Sequence, residues 1–237
     1  MKVLLKLCTA TVVALLLATQ AHALGLADIS NKDATTGLKE ALSKGSQAAV
    51  AALGKPDGFL RNERVRIPLP EGLRQVEGMM RGLGMGKYAD ELVTTMNRAA
   101  EAAVVEAKPL LVNAVKNMSV QDAKAILGGG QDAATQYFKR TTSGPLSDKF
   151  LPIVSKATQK VKLADKYNEF AGKGARFGLV DEKDADLNRY VTRKALDGLF
   201  LMIAEEEKKI RQDPVGAASG IISKVFGVLK RKHPRMG

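Results

Sequence analysis

Helical periodicity is the feature that most constrains the fold of this chain. Apolar residues recur at steps of three and four along most of it, as in the run Tyr88, Leu92, Met96, Ala99, Ala103 and Ala107. Glycines and prolines separate the periodic segments. The sequence shows no internal repeat of about 20–50 residues. The pattern therefore predicts an all-α fold, a single compact multi-helix domain rather than a solenoid.

One helix is predicted to lie at the centre of this domain, from Leu187 to Arg211. Its residues 199–203 (Leu-Phe-Leu-Met-Ile) are apolar all round a helix, so we expect that stretch to be buried on every side. Its polar end offers two pairs at i,i+4 spacing, Glu205 with Lys209 and Glu207 with Arg211.

Prolines and glycines set the expected boundaries of the other elements. Residues 55–70, with three prolines, predict an ordered loop, and Ser119 with Asp122 resembles a capping box. Gly144-Pro145 is expected to break a helix, and residues 162–171 to form a short helix before a mobile polar connection. A helix after the proline loop is expected to face inward with Leu73, Val76, Met79, Met80 and Leu83.

The N-terminus is typical of a cleaved signal peptide. Lys2 and Lys6 precede an apolar run from Leu7 to Ala18, and Ala21-His22-Ala23 supplies a small-x-small cleavage pattern. Residues 1–23 are therefore predicted to be removed on export to the bacterial periplasm. Residues 24–213 form the predicted helical domain, and residues 214–237 a predicted amphipathic helix with a basic tail.

Cysteine and histidine usage excludes several kinds of site. The single cysteine, Cys8, lies in the signal peptide, so the mature chain is expected to be free of cysteine. His233, near the basic end, is the only histidine that would remain. Zinc sites built from cysteine and histidine are excluded, as are histidine-based nucleophilic triads unless His233 folds back.

The basic balance of the chain favours acidic partners. The net charge is +12, and half of the mature excess lies in the C-terminal tail. On a helical wheel the apolar residues of residues 221–229 share one face, which suits either packing on the domain or contact with an anionic membrane or a protein. The residues expected at such a contact are Ile222, Phe226, Lys224, Lys230, Arg231 and Lys232.

A second group of candidates surrounds an alanine-rich helix. Asn97, Arg98 and Glu101 are spaced to lie near one another there, and Tyr137 and Arg140 occupy a later helix. A buried arginine needs a carboxylate partner, so we favour a network that holds the proline loop to the helices. A pocket for an anionic or polar ligand is the alternative. Its candidate residues are Arg66, Asn97, Arg98, Glu101, Tyr137 and Arg140.

Two acidic clusters raise the alternative of a carboxylate-dependent envelope hydrolase. They are residues 205–207 and the group Asp181, Glu182, Asp184 and Asp186. Glycoside hydrolysis needs two carboxylates facing each other across a cleft, which clustering in sequence does not provide. The chain also has no tryptophan to stack on a sugar.

Several segments, in order, resemble a known family. They are KPDGFL, VRIPLP, ADELVTTMNRAAEAA, DAATQYFKRTT, ALDGLF and AEEEKKIRQDP, and together they are similar to the bacterial family DUF4197, a domain of unknown function. The resemblance covers about Leu38 to Phe226. It implies an exported, helical, single-domain protein and brings no activity, ligand or catalytic residue.

These observations predict a non-enzymatic periplasmic binding or interaction protein of the cell envelope. We expect no catalytic residue, metal or cofactor. The expected partners are an anionic membrane surface or an envelope protein. Nucleic acid is not expected, because aromatic residues do not alternate with the basic ones.

Export makes a prediction about mass. Protein purified from its own periplasm should lack residues 1–23 of the 237-residue chain, which denaturing mass spectrometry will measure directly. An intact or lipid-modified N-terminus would contradict the prediction.

Overall fold

The chain is helical wherever the sequence is periodic. The structure, a computed structural model, describes residues 31–176 and 181–213, and within these ranges it contains no strand. The α-helices there are α1 Asn31–Leu53, α2 Glu71–Gly82, α3 Gly86–Val104, α4 Ala107–Lys116, α5 Val120–Gly128, α6 Ala133–Thr158, α7 Lys162–Arg176 and α8 Leu187–Gln212. The predicted all-α fold is confirmed. The predicted signal peptide and C-terminal helix lie outside the described residues.

Helix α8 occupies the centre of the helical packing. It packs against α6, α1 and α3, and Leu199, Phe200 and Ile203 are buried. The prediction of burial on every side is wrong for Leu201, whose side chain is 40% exposed. The neighbouring helices cover most of the circumference of α8 at this level and leave one strip open to solvent.

The proline loop, residues 55–70, packs into the core between α3 and α8. Phe59, Val65 and Ile67 are buried. The loop can approach α8 closely because residue 198 is a glycine, where an added Cβ would lie only 2.7 Å from Cε1 of Phe59. The predicted ordered loop is therefore present as a layer of the core.

Helix α6 corrects the prediction of a break at Gly144-Pro145. It runs unbroken from Ala133 to Thr158 and contains both Pro145 and Pro152. A proline inside a helix costs about 3 kcal/mol. Here the buried face continues beyond Pro145 through Leu146, Phe150 and Val154, and that apolar burial offsets the cost.

Two other helices differ from their predicted form. Helix α7 extends to Arg176, beyond the predicted end at residue 171, and a short 3-10 helix follows at Glu182–Asp184. In α2, Leu73 faces inward as predicted, but Met79 and Leu83 are 67% and 70% exposed. Among the described helices only α3 makes an extensive contact with α2, so no other described helix covers the far face of α2.

Among the described residues, no helix has both the length and the apolar character needed to cross a membrane.

A buried carboxylate joins α8 to the start of α6. Oε1 of Glu207 accepts a hydrogen bond from the backbone N–H of Ala134 at 3.0 Å, and Oε2 accepts one from that of Thr135 at 2.9 Å. The first turn of a helix has unpaired N–H groups and a partial positive charge. Glu207 accepts hydrogen bonds from two of these N–H groups, and its negative charge interacts favourably with the positive end of the helix. Arg211 adds the predicted i,i+4 pair at 2.8 Å and donates to the Ile126 carbonyl.

The other predicted pair at this end is different in the structure. Lys209 pairs with Glu206 at 2.6 Å, and Glu205 pairs instead with Arg64 of the proline loop. The loop brings its arginine to α8, a contact that helical spacing within α8 could not indicate.

Replacing Glu207 should destabilise the fold strongly. Glu207→Ala leaves two buried N–H groups without an acceptor and removes the carboxylate that pairs with Arg211, and we expect a loss of about 3 kcal/mol in the free energy of unfolding. The matched control is Glu206→Ala, which removes a surface pair and should cost less than about 1 kcal/mol. Urea denaturation followed by circular dichroism measures both, and equal losses would contradict the prediction.

Candidate functional site

Asn97 of α3 binds the backbone of the proline loop. Its Oδ1 accepts a hydrogen bond from the N–H of Ile67 at 2.8 Å, and its Nδ2 donates to the carbonyl of Ile67 at 2.9 Å. Nδ2 also donates to the Val93 carbonyl within the helix. One buried amide thus pairs both polar groups of a loop residue, as a neighbouring strand would do.

Glu101, one helical turn further along α3, binds the same loop at a second point. Its Oε1 accepts hydrogen bonds from the N–H groups of Phe59 at 3.1 Å and Leu60 at 3.2 Å. Its Oε2 accepts one from Arg98 at 2.7 Å. Because both oxygens of Glu101 are engaged and the side chain is buried, this carboxylate has a structural role.

Arg98 extends this network to Asp57. It donates to Oδ1 of Asp57 at 2.7 Å, and its hydrogen bonds to Glu101 and then Asp57 raise the pKa of the guanidinium above its ordinary value. Asp57 has a φ of 65°, a left-handed conformation that few residues other than glycine adopt. The arginine holds this turn, and sequence spacing gave no indication of the contact.

Arg66 lies apart from these bonds. Its side chain is exposed. The hydrogen bond from Arg81 lowers the pKa of Asp90 on α3, and the charge of Arg66 makes a smaller contribution in the same direction. Arg66 therefore does not reach into a pocket with Asn97 and Glu101.

Tyr137 and Arg140 line a separate groove between α4 and α6. The groove has a volume of about 420 Å³ and is open to solvent. It is lined by Leu110, Asn113, Ala114, Asn117, Asp122, Tyr137, Arg140, Thr141, Thr142 and Pro145. The structure thus divides the six candidates into a loop-binding group on α3, the exposed Arg66, and a pair in this groove.

The polar groups of the groove are held by short-range contacts. Tyr137 Oη donates to the Ala114 carbonyl at 2.8 Å, which joins α6 to α4. Arg140 lies over the Tyr137 ring, 5.5 Å from its centroid, and donates to Asp122 at 3.3 Å. Asp122 itself completes the predicted capping box with Ser119 at the start of α5.

The charges in the groove follow from these contacts. The hydrogen bond from the Ser119 hydroxyl lowers the pKa of Asp122, so this carboxylate is ionised at neutral pH. Burial raises the pKa of Tyr137, which keeps its hydroxyl neutral. The groove therefore presents one cation, one anion that partly balances it, and neutral polar groups.

Two asparagines that were not predicted from the sequence complete the groove. Asn113 lies on α4 and Asn117 caps the end of that helix, one turn further along. Their exposed side-chain amides have no hydrogen-bond partner among the described residues. Their i,i+4 spacing was visible, but its meaning depends on α6 packing beside α4. Each amide can donate and accept hydrogen bonds to a ligand.

The acidic clusters are engaged in contacts of their own. Asp184 pairs with Arg193, and Asp186 accepts from the N–H of Arg189 at the start of α8 at 3.0 Å. Among the described residues, no group of three or more histidine, cysteine, aspartate or glutamate side chains is placed to hold a metal ion. The predicted contact residues Ile222, Lys224, Phe226, Lys230, Arg231 and Lys232 lie outside the described residues.

Replacing Asn97 tests the loop-binding group. Asn97→Ala strands the buried N–H and carbonyl of Ile67, and we expect the free energy of unfolding to fall by about 3 kcal/mol. Asn113→Ala, on the exposed groove face, is the matched control and should change it by less than about 0.5 kcal/mol. Thermal and urea denaturation measure both variants, and a stable Asn97→Ala protein would show that water replaces the amide.

Comparison with known proteins places the chain in a family. The family described as "Protein of unknown function (DUF4197)" matches residues 28–227. No curated protein and no solved structure matches the chain. Since the match covers most of the sequence, including the proline loop, α3 and the groove, the chain belongs to the DUF4197 family.

Proposed function

We propose that this chain is a non-enzymatic binding protein of the bacterial periplasm, and that it holds a small polar ligand with an anionic group in the groove between α4 and α6. The observation that carries the proposal is the pair of exposed amides, Asn113 and Asn117, which line the same groove as Arg140 and have no hydrogen-bond partner among the described residues. The periplasmic location follows from the signal peptide predicted over residues 1–23.

The chemistry of the groove supports a polar rather than an apolar ligand. Two amides and the Thr141 side chain offer hydrogen bonds, while the guanidinium of Arg140 offers a charge. The side chain of Arg140 is 65% exposed, and its contact with Asp122 is long at 3.3 Å. A ligand carboxylate or phosphate can therefore bind this cation without breaking a strong internal pair.

The state of the carboxylates supports binding rather than hydrolysis. A general acid needs a pKa raised toward neutral pH, through burial or a neighbouring negative charge. Glu207 caps a helix, Glu205 pairs with Arg64, and Glu206 with Lys209. In the other cluster, the hydrogen bond from Lys183 lowers the pKa of Asp181. These contacts weigh against the carboxylate-dependent hydrolase.

A pair of arginine variants tests the proposal. Arg140→Gln keeps the size of the side chain and removes its charge, so ligand occupancy should fall about tenfold or more. The matched control is Arg189→Gln, because Arg189 is also exposed and also pairs with the capping aspartate of a helix, Asp186. The measurement is native mass spectrometry of each protein purified gently from its own periplasm.

The expected result is an added mass in the native spectrum of the wild type and of Arg189→Gln that disappears on denaturation. The same mass should be lost or strongly reduced in Arg140→Gln. A bare wild-type monomer, or a ligand retained equally by both variants, would contradict the proposal.

A further inference from the structure

The turn between α2 and α3 carries a concentration of exposed apolar side chains. We call residues 78–88 the α2–α3 tip. Met79 and Leu83 are 67% and 70% exposed and lie one helical turn apart, and Met85 and Tyr88 follow at 43% and 41%. Burying such side chains in water-free surroundings is favourable, so an uncovered group of four calls for an explanation.

Open space surrounds the turn of the tip. Gly84 closes the turn with a φ of 73°, a conformation in which glycine is unstrained. A Cβ added at Gly78, Gly82 or Gly84 would meet no atom within 4 Å. The tip has only eleven residues, fewer than the roughly 20–30 residues and about 800 Å² per side that a stable protein interface needs. A lipid surface can accept a small exposed apolar turn without matching its shape.

The ion pairs at the tip leave its end available for such a surface. Arg81 pairs at 2.7 Å with Glu77 on the same helix and at 2.7 Å with Asp90, and the second pair joins α2 to α3. Residues 78–89 contain no acidic residue. Lys87 places its Nζ over the Tyr88 ring, 5.1 Å from the centroid, a combination suited to the boundary between headgroups and acyl chains.

The charge of the whole chain selects an anionic surface. The full chain has a net charge of +12, and without Lys2 and Lys6 of the predicted signal peptide the charge is still +10, so the mature protein is attracted to a negatively charged bilayer and repelled by a positive one. Attraction brings the molecule to the surface, and the apolar side chains then determine which part enters it.

We propose that the α2–α3 tip inserts into the surface of an anionic phospholipid bilayer, with Met79, Leu83 and Met85 among the acyl chains and Lys87 among the phosphates. This contact uses none of the groove residues, so it stands or falls separately from ligand binding. It is also distinct from a contact through residues 222–232.

The absence of tryptophan from the chain makes a local test possible. Leu83→Trp places the only tryptophan at the tip, and Leu201→Trp places it at an exposed leucine of α8 as the matched control. Each mature protein is mixed with vesicles of phosphatidylglycerol and phosphatidylcholine, or of phosphatidylcholine alone. On the anionic vesicles the emission of Leu83→Trp should shift to shorter wavelength and be quenched by brominated acyl chains, while Leu201→Trp should be unchanged.

A second pair of variants measures the contribution of the tip to binding. Met79→Ser with Leu83→Ser should weaken co-sedimentation with the anionic vesicles at least about tenfold. Val120→Ser with Leu201→Ser removes two other exposed apolar side chains and should leave binding unchanged.

Three outcomes would overturn the proposal. The protein could sediment with the vesicles while the emission of Leu83→Trp stays unchanged, which would place the contact elsewhere, for example in the tail. Emission could shift without vesicles together with a doubled mass in light scattering, which would make the tip a contact between two copies. The third outcome is that Met79→Ser with Leu83→Ser leaves binding to the anionic vesicles unchanged, as Val120→Ser with Leu201→Ser is expected to do.

Discussion

The proline loop is neither helix nor strand, so its buried backbone N–H and carbonyl groups need hydrogen-bond partners from elsewhere. The core depends on the side chains of α3 that supply these partners. A buried N–H or carbonyl without a partner costs about 1–3 kcal/mol, and a loop layer buries several of them. Asn97 and Glu101 supply hydrogen bonds at two points, Ile67 and the pair Phe59 and Leu60. The apolar side chains of the loop can then pack against α8, which gives α8 its covered face.

The polar candidates of this protein divide by exposure rather than by residue type. Glu101 and Asn97 are buried and fully bonded, so they hold the fold together. Asn113, Asn117 and Arg140 are exposed and bonded weakly or not at all within the described residues, so their capacity to form hydrogen bonds is free for a ligand. Within the described residues, which contain no cysteine, the strongest polar contacts are used for stability.

Local rules in the sequence predicted the elements, and tertiary packing decided the rest. Periodicity indicated the helices, and the Ser119–Asp122 spacing indicated a cap. The helix break predicted at Pro145 was wrong. The free-energy cost of a proline in a helix is a local property, whereas the burial of Leu146 and Phe150 that offsets this cost depends on other helices. The predicted burial of Met79 and Leu83 was also wrong, because an amphipathic pattern does not reveal whether another element covers the apolar face. The groove needed α4 and α6 side by side.

Helix α8 is held in place by contacts on two opposite sides. Gly198 faces the Phe59 ring of the proline loop, while Glu207 faces the start of α6. The two positions lie nine residues apart, about two and a half turns, so they point to opposite sides of the helix. Adding or deleting one residue between them would turn Glu207 away from α6 by more than a quarter of a circle whenever Gly198 kept its place. The two contacts therefore fix the number of residues from Gly198 to Glu207. A substitution between them can be accommodated, whereas an insertion or a deletion would break one of the contacts.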